Sequence, residues 1–186
     1  GIQGEKGDTG EQGEKGESGQ DGADGLGFDE LTQYGYLSLE TEGVRSDNQA
    51  FQDSTSFRFT PIELAGSSDV SVEGEFNGET IYLFTIRRFL SAPDDIYQES
   101  YMRLQLAIAD PGGENQQVIS GSYLLRNYAV IGDDNKYFEL NHGYDLSNPE
   151  VISNFEITDV TFDAETNHLT FSYAFTVDAI ANTTGN

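Results

Sequence analysis

Leu169-Thr170-Phe171-Ser172-Tyr173-Ala174-Phe175-Thr176-Val177-Asp178 decides how most of this chain folds. Five apolar side chains occupy alternate positions, with small or polar ones between them. Period two puts successive side chains on opposite faces of an extended strand, so the segment has one face for a core and one for water. Working outward, Val70, Val72 and Phe76 alternate likewise, and Asn77-Gly78 then supplies a type I′ turn. Residues 80–89 return as the second strand of that hairpin. The same pattern predicts strands over 36–40, 56–60, 101–109, 118–126, 136–140 and 155–162. Asp110-Pro111-Gly112-Gly113, Gly132-Asp133-Asp134-Asn135 and Asp163-Ala164-Glu165-Thr166-Asn167 are turn signals between apolar runs. A short helical turn fits 29–34. Eight or more short strands with no sustained helical period imply an all-β antiparallel sandwich or jelly roll. It would span residues 28–186, one domain's length, with a core drawn from the ten tyrosines and twelve phenylalanines.

Residues 1–27 obey a different rule. They read GIQ-GEK-GDT-GEQ-GEK-GES-GQD-GAD-GLG, with Gly1, Gly4, Gly7, Gly10, Gly13, Gly16, Gly19, Gly22 and Gly25 in unbroken register. Three polyproline II chains can wind round a common axis only if every third residue lacks a Cβ. One chain alone has no such axis, so the repeat predicts a collagen-like triple-helical stalk and a homo-oligomer, a trimer or a filament. A flexible glycine-rich linker has no reason to keep glycine in phase. The repeat contains no proline, the four prolines lying at 61, 93, 111 and 149, so polyproline preorganisation is missing. Interchain pairs Lys6–Asp8 and Lys15–Glu17 offset this modestly, at about 0.2–1 kcal/mol each. Glu5, Asp8, Glu11, Glu14, Glu17, Asp21 and Asp24 outnumber the two lysines, and aligned copies repel at low salt. Register is therefore expected to be held by the domain that follows, by more repeat ahead of Gly1, or by cations or higher assembly. At about 3 Å per residue the stalk would project roughly 80 Å.

Composition narrows the chemistry. The formal charge is −24, from 33 acidic against 9 basic residues, which opposes phosphate-backbone binding and excludes nucleic acid as a partner. No apolar run approaches the ~20 residues of a spanning helix, so membrane insertion is not expected. Without cysteine there are no disulfides, thiolate metal sites or cysteine nucleophiles. His142 and His168 sit among Asn and Gly and read as turn residues. No Gly-x-Ser-x-Gly elbow singles out a serine nucleophile. Close carboxylate pairs arise by chance in so acidic a chain and carry no signal for glycoside hydrolysis. No catalytic, cofactor-binding or metal residue is assigned, and a non-enzyme is the expectation. Calcium is the one cation weighed, at Asp133, Asp134 and Asn135 or at Asp159, Asp163 and Glu165. Neither group has EF-hand spacing, and solvated acidic loops are the preferred reading. Arg87-Arg88 is the only adjacent basic pair, read as surface charge within reach of an acidic patch on a neighbouring subunit.

The repeat resembles the stalks of bacterial and bacteriophage collagen-like proteins, which use Lys-Gly-Asp and Lys-Gly-Glu steps like Lys6-Gly7-Asp8 and Lys15-Gly16-Glu17. The domain resembles β-sandwich modules of Bacteroidota surface lipoproteins, through Gly121-Ser122-Tyr123-Leu124 followed by a final hairpin over 155–177. The lipoprotein anchor cysteine has no counterpart. These resemblances imply a secreted or cell-surface location and a structural or adhesive role, in which assembled stalks display β-sandwich heads. The other roles considered are a module binding a glycan or surface protein, and a bacteriophage tail-fibre component.

Overall fold

A computed structural model describes residues 28–60, 68–92 and 100–178. The repeat, with its nine glycines and with Lys6, Asp8, Lys15 and Glu17, lies outside the described residues. In chain order the elements are α1 (Phe28–Thr32), β1 (Leu37–Val44), β2 (Ala50–Phe57), β3 (Ser68–Phe76), β4 (Glu79–Phe89), β5 (Tyr101–Ala109), β6 (Gln117–Ile131), β7 (Tyr137–Asp145), β8 (Ile152–Asp163) and β9 (His168–Val177). Strands β3 to β7 form one five-stranded sheet in sequence order, and β1–β2 and β8–β9 are separate hairpins. All pairings are antiparallel.

Alternation fixes which face is buried. Tyr82, Phe84, Ile86 and Arg88 of β4 lie opposite Ile108, Leu106, Leu104 and Met102 of β5. Leu106, Leu104 and Met102 lie in turn opposite Gly121, Tyr123 and Leu125 of β6. The two hairpins close over this face. Leu37, Leu39 and Phe57 pack with Met102, Leu104, Leu125 and Val130. Phe155, Ile157, Phe162, Leu169 and Phe171 cover Phe84, Leu106 and Ile108. Phe57, Met102, Leu104, Leu106, Ile108 and Val130 are fully buried, and each contributes about 1.5–3 kcal/mol of transfer free energy. The result is a sandwich-like, two-layered all-β architecture. Neighbours in the large sheet are consecutive in sequence, so it is a meander. The Greek-key crossovers of a jelly roll, the other architecture expected, do not occur among the described strands.

Several expectations about local structure need correction, among them the strand expected over 36–40, which is β1 and runs to Val44. The strand expected over 56–60 is β2, which starts at Ala50 and ends at Phe57. Asp53 faces inward there, its charge satisfied by the Tyr128 hydroxyl, which donates to Oδ2 at 2.7 Å. The strand expected over 118–126 runs on to Ile131. Asn127 takes φ 49° and pairing steps from Leu125 to Tyr128, so alternation resumes out of phase. The strand expected over 136–140 extends to Asp145. His142 is therefore a strand residue opposite Leu125, not a turn residue, and its ring stacks on Tyr144 with centroids 5.8 Å apart. Pairing and burial override the turn preference of the flanking Asn141 and Gly143. Likewise β8 starts at Ile152 and carries two bulges, with Asn154 and Asp159 both at φ 53°.

Candidate functional site

The domain is entered through α1, and that junction is tied to both layers. Thr60 N–H donates to Leu31 O at 2.8 Å, and Phe59 bridges Phe89 at the end of β4. Arg88, 7% exposed, reaches from β4 to the backbone leading into β1. Its Nε donates to Gly35 O at 3.1 Å, Nη2 to Tyr34 O, Nη1 to Arg87 O at 2.9 Å and also to the Ser68 hydroxyl. Burial lowers its pKa. The expected surface pair Arg87-Arg88 is thus divided between faces, because adjacent residues of a strand point opposite ways. Arg88 is committed to the interior and cannot meet a neighbouring subunit.

A second tie joins two turns 89 residues apart. Arg45, just past the end of β1, donates Nη1 to Asp134 Oδ1 at 2.8 Å and Nη2 to Asp134 Oδ2 at 2.6 Å. It also grips Asp47 of its own turn, Nε to Oδ1 at 3.0 Å and Nη2 to Oδ2 at 2.8 Å. Lys136 lies 3.4 Å from Asp47 and 3.7 Å from Asp134. The Arg45 hydrogen bonds hold the Asp47 carboxyl down to about 2, lower that of Asp134 further, and raise Arg45 itself. The Arg45 side chain is only 8% exposed, yet it sits at the rim of the molecule, covered by its own partners and not by depth. A Cβ on Gly132 would stand 2.6 Å from Arg45 Nη1, so glycine there is what lets the guanidinium in.

Beside this tie lies an open groove of about 860 Å³, lined by Glu42–Val44 of β1, residues 50–54 of β2 and Ile131, Gly132 and Asp133. Its exposed carboxylates, Glu42 and Asp133, suit hydroxyl-rich or cationic ligands, whereas Asp53 is held by the Tyr128 hydroxyl.

Three of the calcium candidates, Asp134, Asp163 and Asp159, are otherwise employed. Asp134 serves Arg45. Asp163 caps its own turn, accepting from Glu165 N–H at 2.9 Å, Thr166 N–H at 3.4 Å and the Thr166 hydroxyl at 2.8 Å, which lowers its pKa. Asp159 sits on the second bulge of β8 and accepts from the Thr158 hydroxyl at 3.1 Å. Among the described residues no group of three His, Asp or Glu side chains is placed to hold a metal ion.

One of the two edges of the large sheet, β3, exposes Val72 (63%) and Phe76. It also carries Asp69, Glu73 and Glu75 and is bulged at Gly74, φ 134°. Charge and a bulge guard an edge against indiscriminate strand addition. Sequence reasoning did not single out Arg45, Gly132 or the Tyr128–Asp53 pair. The turn at 132–135 was legible, but its partner across the molecule is set by packing. No protein-family model matches the chain, and comparison with curated proteins and with solved structures gave no match.

Proposed function

We propose that this protein is an extracellular structural or adhesive subunit whose Gly-X-Y repeat assembles chains, as a trimer or in a filament, and displays the β-sandwich head. The observation that carries this reading is the register of nine glycines, which only a multi-chain polyproline axis requires. The junction supports it. Load arriving along the repeat enters at α1 and passes through Leu31 O–Thr60 N and through Arg88 into β4, the strand beside the centre of the large sheet. Several heads on one stem gain avidity through effective concentration without any one tight site.

Light scattering on a sizing column tests the reading. The intact chain is expected to run as a trimer or larger, and Gly13→Ala, which places a Cβ on the shared axis, to lower that mass while leaving the β circular-dichroism signature unchanged. A monomer at micromolar concentration for the unsubstituted chain overturns it.

The acidic groove beside β2 favours a second reading, in which the head captures a glycan. Glycan-array binding by the intact chain, lost on Glu42→Gln/Asp133→Asn, would establish it.

A further inference from the structure

His142 lies on β7, an edge of the large sheet that among the described strands pairs with β6 alone. It stands opposite Leu125, which is 3% exposed, so the imidazole turns toward the core side. There it ends a row of rings. His142 stacks on Tyr144 with the planes 22° from parallel, Tyr144 stacks on Tyr123 of β6 at 6.5 Å, and Tyr123 meets Phe175 of β9 edge-on at 5.0 Å. The row ties the edge strand to β6 and to the second layer.

Nε2 of His142 is buried and has no hydrogen-bond partner among the described residues. A neutral imidazole carries its proton on one nitrogen only, so the ring can keep it on Nδ1 and leave a lone pair at Nε2. Protonation sets an N–H and a positive charge there, and a buried donor without an acceptor is costly. Attraction of an imidazolium to the Tyr144 face opposes this cost. Burial prevails: it lowers the pKa of His142, and no neighbouring charge offsets it.

The surrounding groups keep their charge while imidazole titrates. Burial raises Tyr123, Tyr144 and Tyr173, and burial and Asp53 together raise Tyr128, so all four phenols stay neutral. Asp53 of β2 is held by the Tyr128 hydroxyl, and Asp178, just past β9, accepts from the Ser153 hydroxyl at 3.4 Å. Glu139 and Asp145 of β7 alternate onto the outer face of the sheet, as does Arg126 of β6, which donates to Asn141. Glu40 and Glu42 of β1 and Glu156 of β8 are exposed on the outer side of the second layer.

We infer that His142 is a latch that mild acid releases: the neutral ring keeps β7 seated on the row of rings, and the protonated ring withdraws to water and loosens the edge strand. A histidine held neutral by folding contributes stability that is fully present above its unfolded pKa of about 6.5. That stability is lost as pH falls from there through the lower folded value. The Arg45 tie fails in a more acid window, with Asp47 at about 2, so the two fastenings let go in sequence. Because β7 covers β6 over residues 122–131, its loosening bares ladder groups to an incoming chain. The latch acts within one chain and stands or falls apart from assembly through the repeat.

The test combines hydrogen exchange of the full chain, read by mass spectrometry, with the ring resonances of its two histidines, between about pH 7.5 and about pH 5.5. After correction for the intrinsic effect of pH, peptides of β7 are expected to lose protection several-fold on acidification, in step with the His142 ring, while β4 and β5 keep theirs. The ring should titrate below the ordinary imidazole value. His142→Phe keeps a ring in the stack but has no base, and should abolish the acid dependence of β7. His142→Gln, neutral and smaller, should abolish it too, even where the weaker stack lowers protection at every pH. Acid loosening that persists in both variants would overturn the latch, as would a His142 ring that titrates with no change in β7. A loss shared equally by β4, β5 and β7 would overturn it as well, since the whole domain would then be yielding to acid.

Discussion

Arg88 and Arg45 each fasten two segments distant in sequence, and they do so with opposite chemistry. Arg88 is buried between the layers and meets only dipoles, the carbonyls of Tyr34, Gly35 and Arg87 and the Ser68 hydroxyl. Arg45 stands at the rim and meets two full charges, Asp47 and Asp134. Coulomb attraction is stronger per pair at the rim, but water and salt compete for it there, and the carboxylates regain solvation when the pair breaks. At Arg88 the hydrogen bonds are part-buried, and water replaces the lost donor less readily than at the rim. The weaker-looking contacts are thus the costlier ones to lose.

The largest expected effect follows from that contrast. Arg88→Met keeps an apolar stem of similar length but removes the donor of four part-buried hydrogen bonds, at a cost of about 3 kcal/mol. For a chain of this size the melting temperature should fall by roughly 6–12 °C, read by circular dichroism. Arg88→Lys should recover only part, since one ammonium cannot reproduce the spread of the guanidinium. A fall under about 2 °C for Arg88→Met would break the comparison at its stronger end.

Arg88 also marks what could be read in advance. The alternation of Leu169 to Val177 and the Asn77-Gly78 turn placed β9 and the β3–β4 hairpin, because each follows from local stereochemistry. Residues 101–109 matched β5 at both ends, since Met102, Leu104, Leu106 and Ile108 keep one unbroken alternation and all four are fully buried. The extent of β2, β6 and β8 was hidden by an inward-facing acid and by bulges at Asn127, Asn154 and Asp159, which shift the phase on which period-two reasoning depends. Arg87 and Arg88 were visible as a pair, but their separation onto two faces is a property of register. The tie between Arg45 and Asp134 spans 89 residues, and nothing in either turn names the other.

A smaller effect tests whether the Arg45 tie depends on access to its site. Gly132→Ala sets a methyl group 2.6 Å from Nη1, so the guanidinium must withdraw or the turn must shift. Either way the pairing with Asp134 is lost. Gly132→Ala and Arg45→Gln should each lower the melting temperature by several-fold less than Arg88→Met, and the double variant should be no worse than either alone. Strict additivity in the cycle would show that the two residues do not act through one contact. Raising salt to about 1 M should shrink the Arg45→Gln effect and leave the Arg88→Met effect unchanged.

The finest distinction is one of pH. Asp47 moves from its ordinary 3.8 to about 2 in the folded state because Arg45 hydrogen-bonds the ionised form. A carboxyl depressed on folding contributes stability that is fully present above its unfolded value and is lost as pH falls through its folded one. The Arg45 tie is therefore complete above about pH 5, weakens below about pH 4 and is largely gone near pH 2. Asp134, lowered by the same hydrogen bonding, acts in the same direction and extends the decline to lower pH. Many other carboxyls titrate in this window, so the informative quantity is the difference in melting temperature between the native chain and Arg45→Gln. That difference should hold level from about pH 7 to pH 5 and then close steadily toward pH 2. The corresponding difference for Arg88→Met should not close, because the carbonyls and hydroxyl that Arg88 holds do not titrate there. Parallel closing of both differences would mean that acid loosens the junction at α1 as a whole, and the two arginines would then be parts of one fastening.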